Sequence, residues 1–131
     1  MALLSAEAQE RGVRLEVRVE EAVLEADGSL LVAALVNLVK NAVQASPAGA
    51  AVRVEGVREG RRYLVRVQDQ GEGVPEALQA RIFEPFFTTR QKGSGLGLAL
   101  ARKVVQAHGG ELSFRSRPGD TVFTLALPLA R

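Results

Sequence analysis

Two stretches of this chain each carry a pair of apolar-alternating runs that turn back on themselves at a glycine. Residues 51–57 and 62–69 flank Gly60, and residues 111–117 and 121–127 flank Pro118–Gly119. Alternation with a period of two gives a strand one apolar face, and a short glycine turn returns the second run beside the first. These segments are predicted to be hairpins. A further run, in which Val13, Leu15, Val17 and Val19 alternate with Arg14, Glu16 and Arg18, predicts a half-buried strand. Helical signals fill the intervals. Residues 1–11 look like the last turns of a helix ended by Gly12. Asp27 suits an N-cap for a helix over about 28–45, along which Leu31, Leu35, Leu38 and Ala42 share a face. Pro75 opens a short helix to about Arg81, and the glycine-rich stretch 93–97 feeds a longer helix closed by Gly109–Gly110. Because the strands come in hairpins and do not alternate regularly with helices, the expected class is α+β with a mainly antiparallel sheet.

Bulk properties narrow the functions open to such a domain. A length of 131 residues fits one domain, with no internal repeat or dividing linker. Seventeen Lys+Arg against fifteen Asp+Glu leave a formal charge of +2 with the two signs interspersed, so no nucleic-acid partner is expected. The absence of cysteine excludes disulfides and thiolate metal sites. No apolar run reaches the roughly 18–20 residues that span a bilayer, and Met1 is not followed by a signal-peptide pattern. A cytoplasmic location is expected, with a parent protein that membrane segments outside this sequence could anchor.

Four groups of residues carry chemistry. Asn37 and Asn41 stand one helical turn apart on the border of the apolar stripe. They read either as hydrogen-bonded surface-edge amides or as carbonyl ligands for a hard cation such as Mg²⁺. Asp69 falls on the same strand face as Tyr63, Val65 and Val67, so the strand delivers a carboxylate to the end of its apolar face. An unpaired charge there would cost several kcal/mol, on the order of the buried-ion penalty, so a donor has to meet it. The exocyclic amine of a nucleobase is one such donor, and Gly71 and Gly73 would let a ring lie against the backbone. A strand-end aspartate in a glycine turn is the plainer account. Gly93-Ser94-Gly95-Leu96-Gly97, running into Leu98 and a helix, fits a phosphate cradle built from free N–H groups and the positive end of a helix dipole. It is not a P-loop, lacking the Gly-Lys-Ser/Thr sequence, nor a dinucleotide-binding turn, lacking a βαβ context. Between these elements, residues 82–90 (IFEPFFTTR) hold three of the five phenylalanines beside a proline. The expectation is a hinged lid over roughly 74–97.

In this order the groups resemble the histidine-kinase ATPase family. NLVKNAVQA (37–45) is similar to its N box, DQGEG (69–73) to the G1 box, FEPFF (83–87) to the F box, GSGLGLALA (93–101) to the G2 box, and GDTVFTLALP (119–128) to the last glycine box. The same ATP-binding fold is shared with gyrase-type topoisomerases, a heat-shock chaperone and mismatch-repair ATPases, and the F box favours the kinase branch. The resemblance implies a two-layer α/β sandwich, a mixed, mainly antiparallel sheet covered on one face by helices, with a mobile ATP lid. It implies that Asn41 coordinates Mg²⁺ with Asn37 assisting at the phosphates. Asp69, with Gly71 and Gly73, would accept from the adenine amine, with Thr121 nearby. Phe86 would anchor the lid, and Arg90 or Lys92 would contact phosphates. Gly93, Ser94, Gly95, Leu96, Gly97 and Leu98 would form the phosphate-binding turn.

It also implies the division of labour in such kinases. Residues 1–12 would lead from a missing dimerisation and phosphoacceptor domain, and 13–131 would be the catalytic ATP-binding domain. The γ-phosphoryl would pass to a histidine on that other domain and then to a response regulator receiver domain. The fragment alone is expected to be monomeric and the full-length protein a homodimer. His108, the one histidine, stands at a helix end in QAHGG, an ordinary structural place. Two positions depart from the family pattern. Gln44 stands where many members have lysine, which weakens any claim for a lysine at the phosphates from this helix. Asp120 replaces a frequent glycine and is expected to alter only a turn. Alternative functions on the same pocket are an anti-sigma-type serine kinase and a regulatory domain that binds nucleotide without catalysis. A self-contained ATPase would need a water-activating group, for which Glu72 in its turn looks too exposed.

Overall fold

The computed structural model describes residues 2–20, 28–84 and 97–129. In chain order these form α1 (Ala2–Glu10), β1 (Arg14–Val19), α2 (Gly28–Ala45), β2 (Ala51–Glu59), β3 (Arg62–Asp69), a 3-10 helix (Glu76–Arg81), α3 (Gly97–Ala107), β4 (Glu111–Arg117) and β5 (Asp120–Pro128). The strands make one sheet in the order β1-β2-β3-β5-β4. Both expected hairpins are present as antiparallel pairs, β2 with β3 and β4 with β5, and β3 joins them by pairing antiparallel with β5. β1 runs parallel to β2. A parallel neighbour requires a crossover connection, and α2 lies within it. The result is the mainly antiparallel α+β sheet that the hairpin pattern predicts, mixed through β1 as the resemblance implies.

Strand parity sorts the side chains. One face carries Val52 and Val54 of β2, Tyr63, Val65 and Val67 of β3, Phe123, Leu125 and Leu127 of β5 and Leu112 of β4, all buried. The helices gather on that face. α2 contributes Ala34, Leu38, Val39, Ala42 and Val43 to the core, and α3 contributes Ala101 and Val105. Fully buried valines such as Val52 and Val67 each stabilise the fold by roughly 1.5–3 kcal/mol through the apolar area they remove from water. The buried stripe of α2 is rotated from the expected one, since Leu31 and Leu35 are only partly buried. On the opposite face long charged side chains pair across strands, as in the 3.0 Å contact of Arg53 Nε with Glu16. Such exposed pairs contribute little each, about 0–1 kcal/mol.

β1 departs from expectation. Val13 is buried and Leu15 partly so, but Val17 and Val19 are 54% and 60% exposed. β1 is the sheet's edge, and α1 packs at its Val13 end, where Val13 N–H donates to the Ala8 carbonyl at 2.9 Å. Alternation identifies which residues share a face but not whether anything covers it. Further along, β1 is tied down by a contact the sequence did not announce. The Tyr63 hydroxyl of β3 reaches across β2 and donates to the Glu20 carbonyl at 2.6 Å. It occupies the space that a Cβ on Gly56 would need, so glycine at 56 is what lets the phenol cross. Burial, and secondarily the charge of Glu20, push the Tyr63 phenol above its ordinary pKa.

Turn and cap residues behave as their chemistry requires. α3 ends with Gly109 at φ +78°, Gly109 N–H bonding Gln106 and Gly110 N–H bonding Val105, each at 3.0 Å. That is the paired C-cap predicted from the double glycine. The proposed N-cap Asp27 lies outside the described residues.

Candidate functional site

The site begins where β3 ends beside the start of β5. Asp69 pairs directly with Thr121, both on the core face, at 4% and 3% exposure. Strand parity alone places the carboxylate there, as the sequence predicts. Asp69 Oδ1 accepts the Gly71 N–H at 2.9 Å. Thr121 Oγ1 is 2.7 Å from Ser116 Oγ of β4, and that Ser116 oxygen also accepts the Val74 N–H at 2.8 Å. Gln79 of the 3-10 helix donates to the Val74 carbonyl at 3.0 Å. The loop after Asp69 is also fastened by the Gly119 N–H, which donates to the Gly71 carbonyl at 2.8 Å. A donor-and-acceptor network thus surrounds the two buried polar groups.

Ser116 and Gln79 are not among the residues singled out from sequence. Ser116 was legible in principle, because it shares the inward parity of Leu112 and Phe114 and is polar at an apolar position. On the sheet's other face Asp120 does more than alter a turn. It accepts from Gln68 Nε2 at 2.9 Å, bridging β3 and β5. That bond, then the nearby Arg117 and Arg115, hold its carboxyl below the usual range against the opposing effect of burial.

The two glycines of the Asp69 loop have a different reason from the one expected. A Cβ on Gly71 would run into the Ala45 carbonyl oxygen at the end of α2. A Cβ on Gly73 would lie 2.9 Å from the Arg117 carbonyl group and 3.1 Å from Ser116 Oγ, and Gly73 has φ +85°. The protein's own backbone fills the space these glycines leave. They seat the loop against α2 and β4, and no nucleobase is needed to explain them.

α2 carries the remaining positions. Its C-terminal end abuts Gly71, Asn41 lies one turn back, and Asn37 two turns back, about 12 Å along the axis from Ala45 by helical rise. Asn37 faces the start of α3, its side-chain oxygen 3.6 Å from where a Cβ on Gly97 would stand. Leu98 follows, packed in part against the core. Both asparagines are half-buried. Gln44 is engaged elsewhere, donating to Glu7 of α1 at 3.1 Å. Among the described residues no cluster of three or more His, Cys, Asp or Glu could hold a metal ion. Any cation here would take few protein ligands, and the two asparagine carbonyls suit a hard one that keeps its water and phosphate oxygens.

The expected lid, 74–97, falls only in part on described residues. Residues 74–84 are docked: Ile82 is in the core, and Phe83 meets Phe114 and Phe123 edge-on at 5.8 and 6.3 Å. Arg102 of α3 covers the Phe83 ring at 5.0 Å. Phe86, Arg90, Lys92, Gly93, Ser94, Gly95 and Leu96 lie outside the described residues. His108 has its Nδ1 2.7 Å from the Val104 carbonyl, a helix-end contact that fits its structural reading.

Comparison with known proteins agrees with this architecture. Residues 26–131 match the family described as histidine kinase-, DNA gyrase B- and HSP90-like ATPases. The chain is 38% identical over 126 residues to the alginate biosynthesis sensor protein KinB of Pseudomonas aeruginosa, covering 94% of this chain but 21% of KinB. It therefore spans about a fifth of that curated relative's length. Among solved structures, the mycobacterial sensor histidine kinase MprB superposes with a TM-score of 0.86 at 31% identity, over 96% of this chain and 90% of that one. Full-length ShkA in complex with AMPPNP gives 0.84 at 30% identity, over 98% of this chain and 28% of ShkA. The chain belongs to the histidine kinase-, DNA gyrase B- and HSP90-like ATPase family, and within it resembles the catalytic domain of sensor histidine kinases.

Proposed function

We propose that this chain binds ATP with Mg²⁺ and donates the γ-phosphoryl group to a histidine on a separate dimerisation domain, in a two-component signalling protein. The observation that carries the reading is the buried Asp69–Thr121 pair beside the C-terminal end of α2, with Asn37, two turns back in the middle of that helix, against the start of α3. An elongated ligand with a hydrogen-bonding base and an anionic tail matches that arrangement. Asp69 accepts from the adenine amine, while the N-terminal N–H groups of α3 offer partial positive charge to phosphate oxygens. Asn41, with Asn37 beside it, would hold Mg²⁺, which when bound neutralises charge on the phosphates. ShkA, a relative of this chain, is known in complex with the ATP analogue AMPPNP.

Transfer forms a bond between the acceptor imidazole nitrogen and the γ-phosphorus and breaks its bond to the bridging oxygen, so ADP leaves with the electron pair. The protein's contribution is positioning and electrostatic stabilisation. Location in the cytoplasm and passage of the phosphoryl to a receiver domain belong to the same proposal. No helix among the described residues is long and apolar enough to cross a membrane.

The test mixes this chain, labelled ATP and a purified histidine-containing dimerisation domain, and then fuses the two in cis. Acid-labile, base-stable label on the dimerisation domain is the expected product, with none retained on this chain. Nucleotide binding without transfer in either format would leave a regulatory domain, and acid-stable label on a partner's serine would mark a serine kinase.

A further inference from the structure

We infer that Ser116 is a positioning residue for the base. Through Thr121 it fixes the direction of the hydroxyl proton beside Asp69, and so makes the pocket select adenine over guanine. The inference rests on the nucleotide-binding reading above.

Ser116 Oγ has one proton and two lone pairs. The Val74 N–H at 2.8 Å takes one lone pair, and Thr121 Oγ1 stands 2.7 Å away. Two arrangements are possible between the hydroxyls. If Thr121 donates to Ser116, the Ser116 proton needs a second acceptor, and none is found among the described residues. If Ser116 donates to Thr121, every proton in the chain of bonds is placed and the Thr121 proton is released to point away from Ser116. The incoming Val74 N–H favours this second arrangement, because a hydroxyl that accepts a bond becomes a better donor. Asp69 Oδ1 already accepts the Gly71 N–H, and the released Thr121 proton is turned toward an acceptor set beside it.

The paired positions 69 and 121 therefore present an acceptor beside a donor on one buried face. Adenine offers the complement on its Watson–Crick edge, an amine donor next to the N1 acceptor. Guanine offers the reverse, O6 as acceptor next to N1–H as donor. Reversing the Thr121 hydroxyl would remove half of the discrimination while leaving Asp69 untouched. Direct contact and contact through one water give the same preference, since a water that accepts from Thr121 donates onward.

Calorimetry on the whole chain with three nucleotides tests this. ATP carries the amine and N1; 1-deaza-ATP keeps the amine and lacks N1; GTP carries the reversed edge. Ser116→Ala leaves the Thr121 hydroxyl free to turn among its staggered positions, so it should weaken ATP about threefold and narrow the ATP-to-GTP ratio by at least that factor. It should leave 1-deaza-ATP unchanged. Ser116→Thr should restore the wild-type pattern. If Ser116→Ala unfolds, Ser116→Cys keeps the size with a weaker donor and should show the same pattern at smaller amplitude. Equal losses for ATP and 1-deaza-ATP would overturn the inference, because Ser116 would then only fasten the loop through Val74. A wild-type chain that binds none of the three would overturn the nucleotide reading itself, a result distinguishable from selective loss.

Discussion

Gly73 has no room for a side chain on two separate grounds. Its φ is +85°, and a Cβ would stand 2.9 Å from the Arg117 carbonyl carbon and oxygen, which are backbone atoms that cannot rotate away. Gly60 supplies the control, with φ +62° and nothing within 4 Å of an added Cβ. Gly60→Ala should cost about 1–2 kcal/mol, the penalty of the left-handed region alone. Gly73→Ala should cost more, roughly 2–4 kcal/mol, since backbone strain adds to that penalty. Denaturant titration of the two variants measures the difference. Equal losses would mean that the seat against Arg117 is loose. The same residue marks a limit of reading from sequence. DQGEG announces a tight loop after a strand, but glycine composition cannot say whether protein or ligand fills the space it leaves. The buried state of Asp69 was legible because parity along four strand positions fixes it. The partnership of Thr121 with Ser116 was not, because it depends on cross-strand register set by the Pro118–Gly119 turn.

Elements show the same division. Hairpins, helices and the C-cap of α3 are written in local periodicity and turn chemistry, which act within a few residues. The exposure of Val17 and Val19, and the crossing of Tyr63 over Gly56, are decided by what packs from far along the chain. The segment 74–84 is the sharpest case. It falls within the stretch 74–97 expected to be a hinged lid, yet Ile82 is core, Phe83 sits in an aromatic cluster, and Gln79 and Val74 bond to β4. Its local stability should therefore approach that of the sheet beneath it. Trypsin cleavage after Arg81 is expected to be slow and unaffected by saturating Mg²⁺–ATP analogue. Phe83→Ala should speed it at least tenfold, because truncating a large packed aromatic commonly costs about 3 kcal/mol or somewhat less when partly exposed. Nucleotide-dependent protection at Arg81 in the wild type would return this segment to the lid.

Across the whole molecule, α2 acts as a ruler between the two halves of the site. Its C-terminal end meets the Asp69 loop through Ala45 and Gly71, and Asn37 meets α3 about two turns earlier. The order of motifs along the sequence suggests a nucleotide pocket, but the proposed division into a base end and a phosphate end needs the fold. It makes a separable prediction for two variants and two ligands. Asp69→Ala removes the base acceptor, so it should weaken ATP and adenosine by the same factor, about 10–100-fold for a hydrogen bond to a charged group. The fold should survive with at most a modest loss, since the relieved desolvation penalty is offset by the Gly71 N–H left without its acceptor. Asn41→Ala should weaken Mg²⁺–ATP while leaving adenosine within about twofold, because the proposed binding mode sets only the phosphates and their cation at that amide. Titration calorimetry with each ligand reads all four combinations, and thermal melts check that both variants remain folded. Binding of ATP raises the melting temperature by mass action, so the shift should shrink in both variants while the adenosine shift shrinks only in Asp69→Ala. Should Asn41→Ala weaken adenosine as much as Mg²⁺–ATP, or Asp69→Ala spare adenosine, base and phosphates are not divided along α2 in this way.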